Sequence, residues 1–285
     1  MSLTVMMFSP YVIDVPLSVG GLLANHAEAG DKVFVVSMCY PGKPSWTVFP
    51  EVVKPGANIY GRFKTKGRFE REVARKEAQG VAKALGIEPI ITWDYDGNSD
   101  ALFGMDVVDR TVEVLNKHKP DIAVAFWPIS NYSDFTGTTS ALLRALQERH
   151  LDKIPQVYFG ETLTGKHTLC FTPNFYVDTT GVMKKKKKAS AVVWQGKNLE
   201  YFFNTHSLPI ARFRGRECGT DYAEAYVALH GGFGLEKRFN GERTKPHPMT
   251  MQPAAKRLQL WQSAEGILPN NGSLDNETAH KVFGV

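Results

Sequence analysis

The chain has 285 residues, of which 43% are hydrophobic and 22% charged, with a net charge of +5 and a pI near 9.0. These values predict a globular chain with one large domain and an appendage, or two domains. A mildly basic balance without a concentrated basic stripe favours a small polar or anionic partner and disfavours nucleic acid.

Targeting and redox signals are weak. No run approaches the roughly 18 apolar residues of a membrane span, and residues 1–8 lack the length and basic start of a signal peptide. Cys39, Cys170 and Cys218 show no paired spacing, which favours a reducing compartment. We therefore expect a cytoplasmic protein with no membrane partner.

The first forty residues predict a βαβ unit. An apolar strand over Leu3–Phe8 leads into a loop over Ser9–Val19, and a helix over Gly20–Ala29 is ended by Gly30. A second strand follows over Lys32–Met38. Ligands of such units bind beyond the carboxyl ends of the strands, so the Ser9–Val19 loop is the expected site.

The next segment combines a long loop with a further helix and strand. Residues 40–67 are rich in proline, glycine and aromatic residues, which is typical of a lid or binding segment, or of a surface loop or subunit contact. Helical spacing predicts a helix over Arg68–Leu85, stopped by Gly86, and then a strand over Ile87–Trp93. The pair Asp96-Gly97 follows this strand and is typical either of a pocket or of a simple turn.

Strands and helices continue to alternate through residue 195. The predicted elements are helices over Asp106–Lys117, Thr136–Arg149 and Lys184–Gln195, and strands over Ile122–Trp127, Gln156–Phe159 and Phe175–Thr180. This alternation predicts a Rossmann-like three-layer α/β sandwich with a mainly parallel sheet over residues 1–230. Residues 231–285 are expected to form an irregular extension that packs on the core or a neighbouring subunit. The run Lys184–Lys188 is expected to be a solvated helix face, with an anion-attracting surface as the alternative.

The first loop resembles the LmbE-like or PIG-L-type zinc-dependent N-deacetylases. That family has His-x-Asp-Asp after its first strand and then a Gly-Gly pair, and here Tyr11-Val12-Ile13-Asp14 is followed by Gly20-Gly21. Tyr11 stands at the first histidine ligand and Ile13 at the catalytic aspartate. Only Asp14, which corresponds to a metal ligand, is retained.

The second loop departs from the family in the same way. Tyr132 and Phe135 stand where the family has histidines, and Asp134 is retained. In the predicted Arg68–Leu85 helix, Ala74 stands where the family has an arginine, and Arg75 is the next residue. Asp96-Gly97 matches a substrate-contacting pair.

The resemblance continues to about residue 230. Arg212–Gly219 and Tyr222–Tyr226 match the closing stretch of the family. Gln195 and Glu200-Tyr201-Phe202 loosely resemble the 4-oxalomesaconate hydratases of the same fold. The resemblance also implies a homo-oligomer.

These substitutions leave three hypotheses. A zinc site needs about three imidazole, thiolate or carboxylate donors, so we predict no metal and no cofactor unless a distant histidine such as His206 contributes.

His26, in the first helix, is expected to be a partly buried helix residue.

The first hypothesis is a metal-independent hydratase, lyase or hydrolase acting on a small polar or anionic substrate. Asp14 or Asp134 would be its acid or base, and Tyr11 or Tyr132 its proton donor. Asp96 and Asn131 would bind substrate. The second hypothesis is a non-catalytic binding pseudoenzyme, and the third a zinc deacetylase with relocated ligands.

Overall fold

The computed structural model describes residues 2–40, 71–97, 100–162, 168–194 and 197–229. Most of the predicted 40–67 loop, the start of the predicted Arg68 helix, Gln195 and residues 231–285 lie outside these ranges. The proposed division at residue 230 therefore stays a prediction. No helix within the described ranges is long and apolar enough to cross a membrane.

Strands of the described part form one sheet in the order β3-β2-β1-β4-β5-β7-β6. Neighbouring strands from β3 to β5 pair in parallel, whereas β7 runs antiparallel to both β5 and β6. The strands are β1 (Thr4–Ser9), β2 (Lys32–Tyr40), β3 (Ile91–Asp96), β4 (Ile122–Phe126), β5 (Gln156–Gly160), β6 (Phe175–Asp178) and β7 (Ala223–Ala228). The predicted, mainly parallel α/β sandwich is confirmed.

Helices cover both faces of this sheet. They are α1 (Asp14–Ser18), α2 (Gly20–Glu28), α3 (Arg71–Leu85), α4 (Met105–His118), α5 (Ser133–Glu148), α6 (Met183–Val193), α7 (Lys197–Phe202) and α8 (Leu208–Cys218). Short 3₁₀ turns lie at Asp100–Phe103 and Thr180–Val182, and a π-helical turn lies at Phe203–Ser207.

The alternation of side chains along β1 explains the three layers. Val5 and Met7 pack with residues of α2, α3 and α6, whereas Met6 and Phe8 pack with residues of α4 and α5. Both faces of β1 are therefore buried, which accounts for its nearly uninterrupted apolar sequence.

Glycines end the first two long helices as predicted. Gly30 and Gly86 have φ angles of +81° and +77°, in the left-handed region that glycine reaches without a steric penalty.

Several predicted boundaries differ from the structure by one to four residues, among them the start of α5, which lies at Ser133 and not at Thr136. The strand expected over Ile87–Trp93 begins only at Ile91, because the Ile87 amide still donates to the end of α3 at Ala82, at 3.1 Å. The loop expected after β1 contains α1, whose first turn carries Asp14, a favourable residue at a helix N-terminus. The sequence did not predict α7, α8 or β7.

His26 is a buried core histidine. It is fully buried, and its Nδ1 lies 2.8 Å from the Asp31 carboxylate. Asp31 also accepts the Leu3 amide at 2.8 Å, so this pair fastens the start of β1 to the chain between α2 and β2. The structure thus gives His26 a structural role, as expected, although its burial is complete and not partial.

Candidate active site

The candidate site lies where the chain leaves the centre of the sheet in two directions. From β1 the chain passes to α2 on one face, and from the adjacent β4 it passes to α5 on the other face. Such a switch point opens a crevice at the carboxyl ends of parallel strands. The segments after β1 and β4 carry Tyr11, Asp14, Asn131, Tyr132 and Asp134, so the fold brings both predicted loops to one edge.

A buried tyrosine–aspartate pair joins the two segments. The Tyr11 hydroxyl donates to Oδ2 of Asp134, and these residues are only 2% and 1% exposed. Burial raises the pKa of Tyr11 far above its usual value, and the Asp134 charge raises it further. The phenol therefore stays protonated at neutral pH and acts as a hydrogen-bond donor, not as a base.

Gly97, directly after β3, lies against the Tyr11 hydroxyl. A Cβ atom at Gly97 would overlap the Tyr11 hydroxyl, so a residue without a side chain is required for the observed approach. Backbone contacts fix the same loop, because the Ser9 hydroxyl donates to the Tyr11 carbonyl at 2.8 Å and the Cys39 amide donates to the Pro10 carbonyl at 2.8 Å.

Asp96 and Cys39 border the pair. Asp96 is exposed and accepts a hydrogen bond from the Tyr40 hydroxyl. Cys39 is 4% exposed, and its pKa is raised by burial and then by the charges of Asp134 and Asp96. The side chain is therefore a neutral thiol at physiological pH. No sequence pattern identifies Cys39 as a site residue, because a lone cysteine at a strand end is not part of a recognisable motif.

Asp14 and Tyr132 are more accessible than the buried Tyr11 and Asp134. Asp14 opens α1, Tyr132 immediately precedes α5, and both are half-buried. Burial raises the pKa of Tyr132, and the Asp14 charge raises it further, which places the carboxylate within electrostatic reach of the phenol. Asn131, the neighbour of Tyr132, is exposed on the same segment.

Apolar side chains pack beside these polar residues. Phe135 is buried against Phe126, with ring centroids 5.2 Å apart, and lies edge-on to Tyr132 at 6.4 Å. Ile13 is partly buried and packs against the cores of both faces. Neither Ile13 nor Phe135 offers a donor atom.

These residues do not fit a zinc ion. Three donors among His, Cys, Asp and Glu are the usual protein ligand set, and no such group occurs among the described residues. Asp134 already accepts the Tyr11 hydroxyl. The imidazole of His206 contacts the Thr205 hydroxyl at 2.8 Å and packs on Tyr201 and Phe202, so it is not part of a ligand group here.

A second buried polar cluster lies at the N-terminus of α2. The Glu224 carboxylate accepts the amides of Gly21 and Leu22 at 2.7 and 2.8 Å, the Lys186 ammonium at 2.6 Å and the Tyr226 hydroxyl at 2.9 Å. We call Glu224 with these four donors the Glu224 clasp. It neutralises the N-terminus of α2, where a carboxylate is favoured.

The clasp corrects the expectation for the lysine run. Lys184, Lys187 and Lys188 are exposed, but Lys186 is only 2% exposed and its ammonium also lies 3.5 Å from the Ser18 carbonyl at the end of α1. The run is therefore not a uniformly solvated face. The signal in the sequence was Glu224 itself, a single charge within the apolar strand Ala223–Ala228.

A pocket of about 280 Å³, including its open mouth, lies at the far end of α1 and not beside the Tyr11–Asp134 pair. Its polar lining includes Lys186, Glu224 and Glu161. The clasp occupies the first two, and Arg214 binds Glu161 through two 2.7 Å hydrogen bonds. These charges are therefore compensated within the scaffold.

Arg75 and Asp94 form a surface ion pair. Arg75 Nη2 lies 2.9 Å from Asp94 Oδ2, and both side chains are well exposed. Arg75 is thus a charge on the exposed face of α3, and it pairs with a residue of β3.

No family model and no curated protein matches this sequence. Solved structures do match. The hydratase GalB from Pseudomonas putida KT2440, a 4-carboxy-2-hydroxymuconate hydratase, has a TM-score of 0.62 at 19% identity and covers 80% of this chain and 96% of its own. N,N'-diacetylchitobiose deacetylase from Pyrococcus horikoshii has a TM-score of 0.59 at 20% identity, with coverages of 81% and 85%.

A third match is the A40926 pseudoaglycone deacetylase Dbv21, with a TM-score of 0.57 at 18% identity and coverages of 80% and 96%. The three structures share the fold of this chain, which confirms at the level of fold the resemblance that the sequence motifs predicted.

Proposed function

We propose that this protein is a hydratase, lyase or hydrolase type of enzyme that acts on a small polar or anionic molecule without a resident zinc ion. The observation that carries the proposal is the placement of Asp14 at the start of α1 and of Tyr132 directly before α5, both partly buried and at the carboxyl ends of adjacent parallel strands. This pair supplies a carboxylate and a protonated phenol on the more accessible side of the crevice.

The two groups suit opposite halves of an acid–base reaction. The Asp14 carboxylate can take a proton from an attacking water or from a carbon acid, and the Tyr132 phenol can donate one to the developing anion of the substrate. The phenol is protonated at neutral pH because the ordinary pKa of tyrosine is about 10, and burial and the Asp14 charge raise the pKa of Tyr132 further. In the reverse direction the same two groups exchange roles.

The remaining predicted site residues take supporting roles in this proposal. Tyr11 and Asp134 are too deeply buried to meet substrate first, and their hydrogen bond holds the loop that carries Asp14 against the start of α5. The exposed side chains of Asp96 and Asn131 border the crevice and are proposed to bind the polar groups of the substrate.

Structural likeness supports a hydratase or hydrolase type of reaction but not a substrate. The matched structures include a 4-carboxy-2-hydroxymuconate hydratase and deacetylases, so this fold serves both kinds of chemistry. The choice here for zinc-independent chemistry rests on the donor set, since Tyr11, Ile13 and Phe135 lack the imidazole or carboxylate that a zinc site needs.

Substitution of the two proposed catalytic groups tests the function. Purified variants Asp14→Asn and Tyr132→Phe would be assayed against a panel of hydroxy acids, keto acids and N-acetyl sugars, with the exposed Asp94→Asn as the control. We expect each site variant to lose about 10²-fold or more in kcat and the control to keep its rate. An active protein whose rate neither site variant lowers would contradict the assignment.

Metal analysis separates this proposal from a zinc deacetylase with relocated ligands. That alternative requires at least one donor from outside the described residues. We expect less than stoichiometric zinc in the purified protein and unchanged turnover after chelation. Stoichiometric zinc that is lost together with activity would overturn the proposal in favour of amide hydrolysis.

A second candidate is a binding protein without turnover. The near-complete burial of Tyr11 and Asp134 favours it, because that pair fills the centre of the crevice with satisfied polar groups. Saturable binding of a panel member, weakened by Asp14→Asn but accompanied by no conversion, would select this candidate.

The cytoplasmic location and the homo-oligomer stay predictions. Sedimentation velocity of the full chain measures the oligomeric state directly.

A further inference from the structure

An exposed apolar surface lies on the chain that follows β4, at the carboxyl ends of the parallel strands. We call it the apolar rim, formed by Trp127, Ile129, Leu169 and Phe171. Ile129 and Leu169 are 49% and 45% exposed, and they adjoin one another, which makes a contiguous apolar patch and not a single exposed side chain.

The rim is held together by its own hydrogen bonds. The Leu169 amide donates to the Ile129 carbonyl at 3.0 Å, and the Trp127 indole N–H donates to the Leu169 carbonyl at 2.7 Å. Phe171 meets the Trp127 ring edge-on, with centroids 5.6 Å apart. Two separate segments therefore present one ordered surface, and the polar atom of Trp127 is already satisfied within it.

Charge near the rim is compensated. The Arg214 guanidinium lies 5.6 Å from the centroid of Phe171, but it binds Glu161 through two hydrogen bonds of 2.7 Å and Glu217 through one of 2.8 Å. Among the described residues, the rim is thus apolar in character, and the guanidinium beside it is already paired.

Part of the rim and one member of the acid–base pair lie on the same segment of chain, between β4 and α5. Trp127 directly follows β4, and Ile129 lies three residues before Tyr132. This segment therefore carries both the proposed proton donor and part of the exposed apolar surface at the carboxyl ends of the parallel strands.

We infer that the apolar rim selects substrates that carry an aromatic or branched aliphatic group next to their polar group. This inference rests on the proposed function, since it assigns the rim to the substrate of the same site. Burial of one ring against the rim is expected to strengthen binding about 10-fold or more relative to the same acid without the ring.

The test compares phenylpyruvate with pyruvate by calorimetry on the full chain. The variants Ile129→Asp and Leu169→Asp place a charge on the rim. Ile154→Asp is the matched control, because Ile154 is 71% exposed and precedes β5 at the opposite edge of the sheet. We expect phenylpyruvate to bind at least about 10-fold more tightly to the wild type, and this preference to vanish in both rim variants but to persist in the control.

Three outcomes would overturn the inference: no preference in the wild type, a preference that survives in both rim variants, or an equal loss in Ile154→Asp. A wild-type oligomer that becomes a monomer in the rim variants would assign the surface to a second copy of the chain instead.

The Asp14→Asn variant separates this inference from the proposed function. If the ring preference is lost only in the rim variants while Asp14→Asn keeps full turnover, the acid–base proposal fails and the rim stands. If Asp14→Asn abolishes turnover but no ring preference exists, only the rim inference fails.

Discussion

Two buried tyrosine–carboxylate pairs occur in the described part of this protein, and they differ in what surrounds them. Tyr226 donates to Glu224 at 2.9 Å, and that carboxylate also receives Lys186 and two backbone amides. Tyr11 donates to Asp134 beside the Cys39 thiol and within reach of the Asp14 charge.

The comparison shows that a tyrosine and a carboxylate serve different purposes in the two places. In the Glu224 clasp a cation and a helix N-terminus compensate the carboxylate, so the clasp joins strands and helices as a scaffold. At the switch point the carboxylate belongs to a group of side chains at the carboxyl ends of four neighbouring strands, β1 to β4. The surroundings of each pair, not its residue types, determine its role.

The largest effect is expected from breaking the clasp. Glu224→Ala leaves Lys186 buried without its carboxylate, and the loss of one partner of a buried ion pair typically costs about 3–5 kcal/mol of the free energy of unfolding. Urea denaturation measures this loss.

The same lysine run provides the control for the clasp. Lys187 lies 3.8 Å from Glu200, and both side chains are about half exposed. Glu200→Ala is therefore expected to change stability by less than about 1 kcal/mol. Equal losses in the two variants would show that burial does not distinguish these pairs.

A smaller effect is expected from deleting the site hydroxyl. Tyr11→Phe removes one donor from the buried Asp134 carboxylate, which we expect to lower the free energy of unfolding by about 1–3 kcal/mol. Tyr132 is half-buried. Tyr132→Phe is therefore expected to lower the free energy of unfolding by less than about 1 kcal/mol while it lowers turnover about 10²-fold. The opposite pattern in denaturation and kinetics would exchange the structural and catalytic roles of the two tyrosines.

Alkaline pH tests both pairs at once. The pKa values of Tyr11 and Tyr226 are raised in the folded chain above the ordinary value of about 10. Each therefore contributes stability that is complete below pH 10 and is lost as the pH rises towards the folded value, with a slope of about 1.4 kcal/mol per pH unit. We expect Tyr11→Phe and Tyr226→Phe each to flatten this decline in denaturation curves above pH 10. A decline that neither variant changes would mean that both phenols ionise as freely as in the unfolded chain.

The smallest effect concerns the thiol beside the site. Cys39 is buried and its pKa is raised, whereas Cys170 is exposed. Since the thiolate is the reactive form, we expect iodoacetamide to modify Cys39 at least about 10-fold more slowly than Cys170 in the folded protein. Peptide mass spectrometry measures both rates, and unfolding in concentrated urea should abolish the difference. Equal rates in the folded protein would indicate that solvent enters the crevice freely.

Local patterns predicted a large part of the fold. Apolar runs identified the parallel strands, and glycine positions such as Gly30 and Gly86 identified helix ends, because both signals depend on near neighbours in the chain. The order of Tyr11, Asp14, Tyr132 and Asp134 relative to the strands also predicted that these residues would meet, since parallel strands place their carboxyl ends on one edge.

The sequence by itself determined the alternation of strands and helices and the side chains at Tyr11, Ile13 and Phe135, which carry neither imidazole nor carboxylate. Only the tertiary structure decided which polar side chains are buried and what compensates them. Lys186 differs from its neighbours in the lysine run only because it faces Glu224 from β7, which lies 38 residues further along the chain. Burial and charge compensation depend on such distant contacts, and no local pattern of residues contains them.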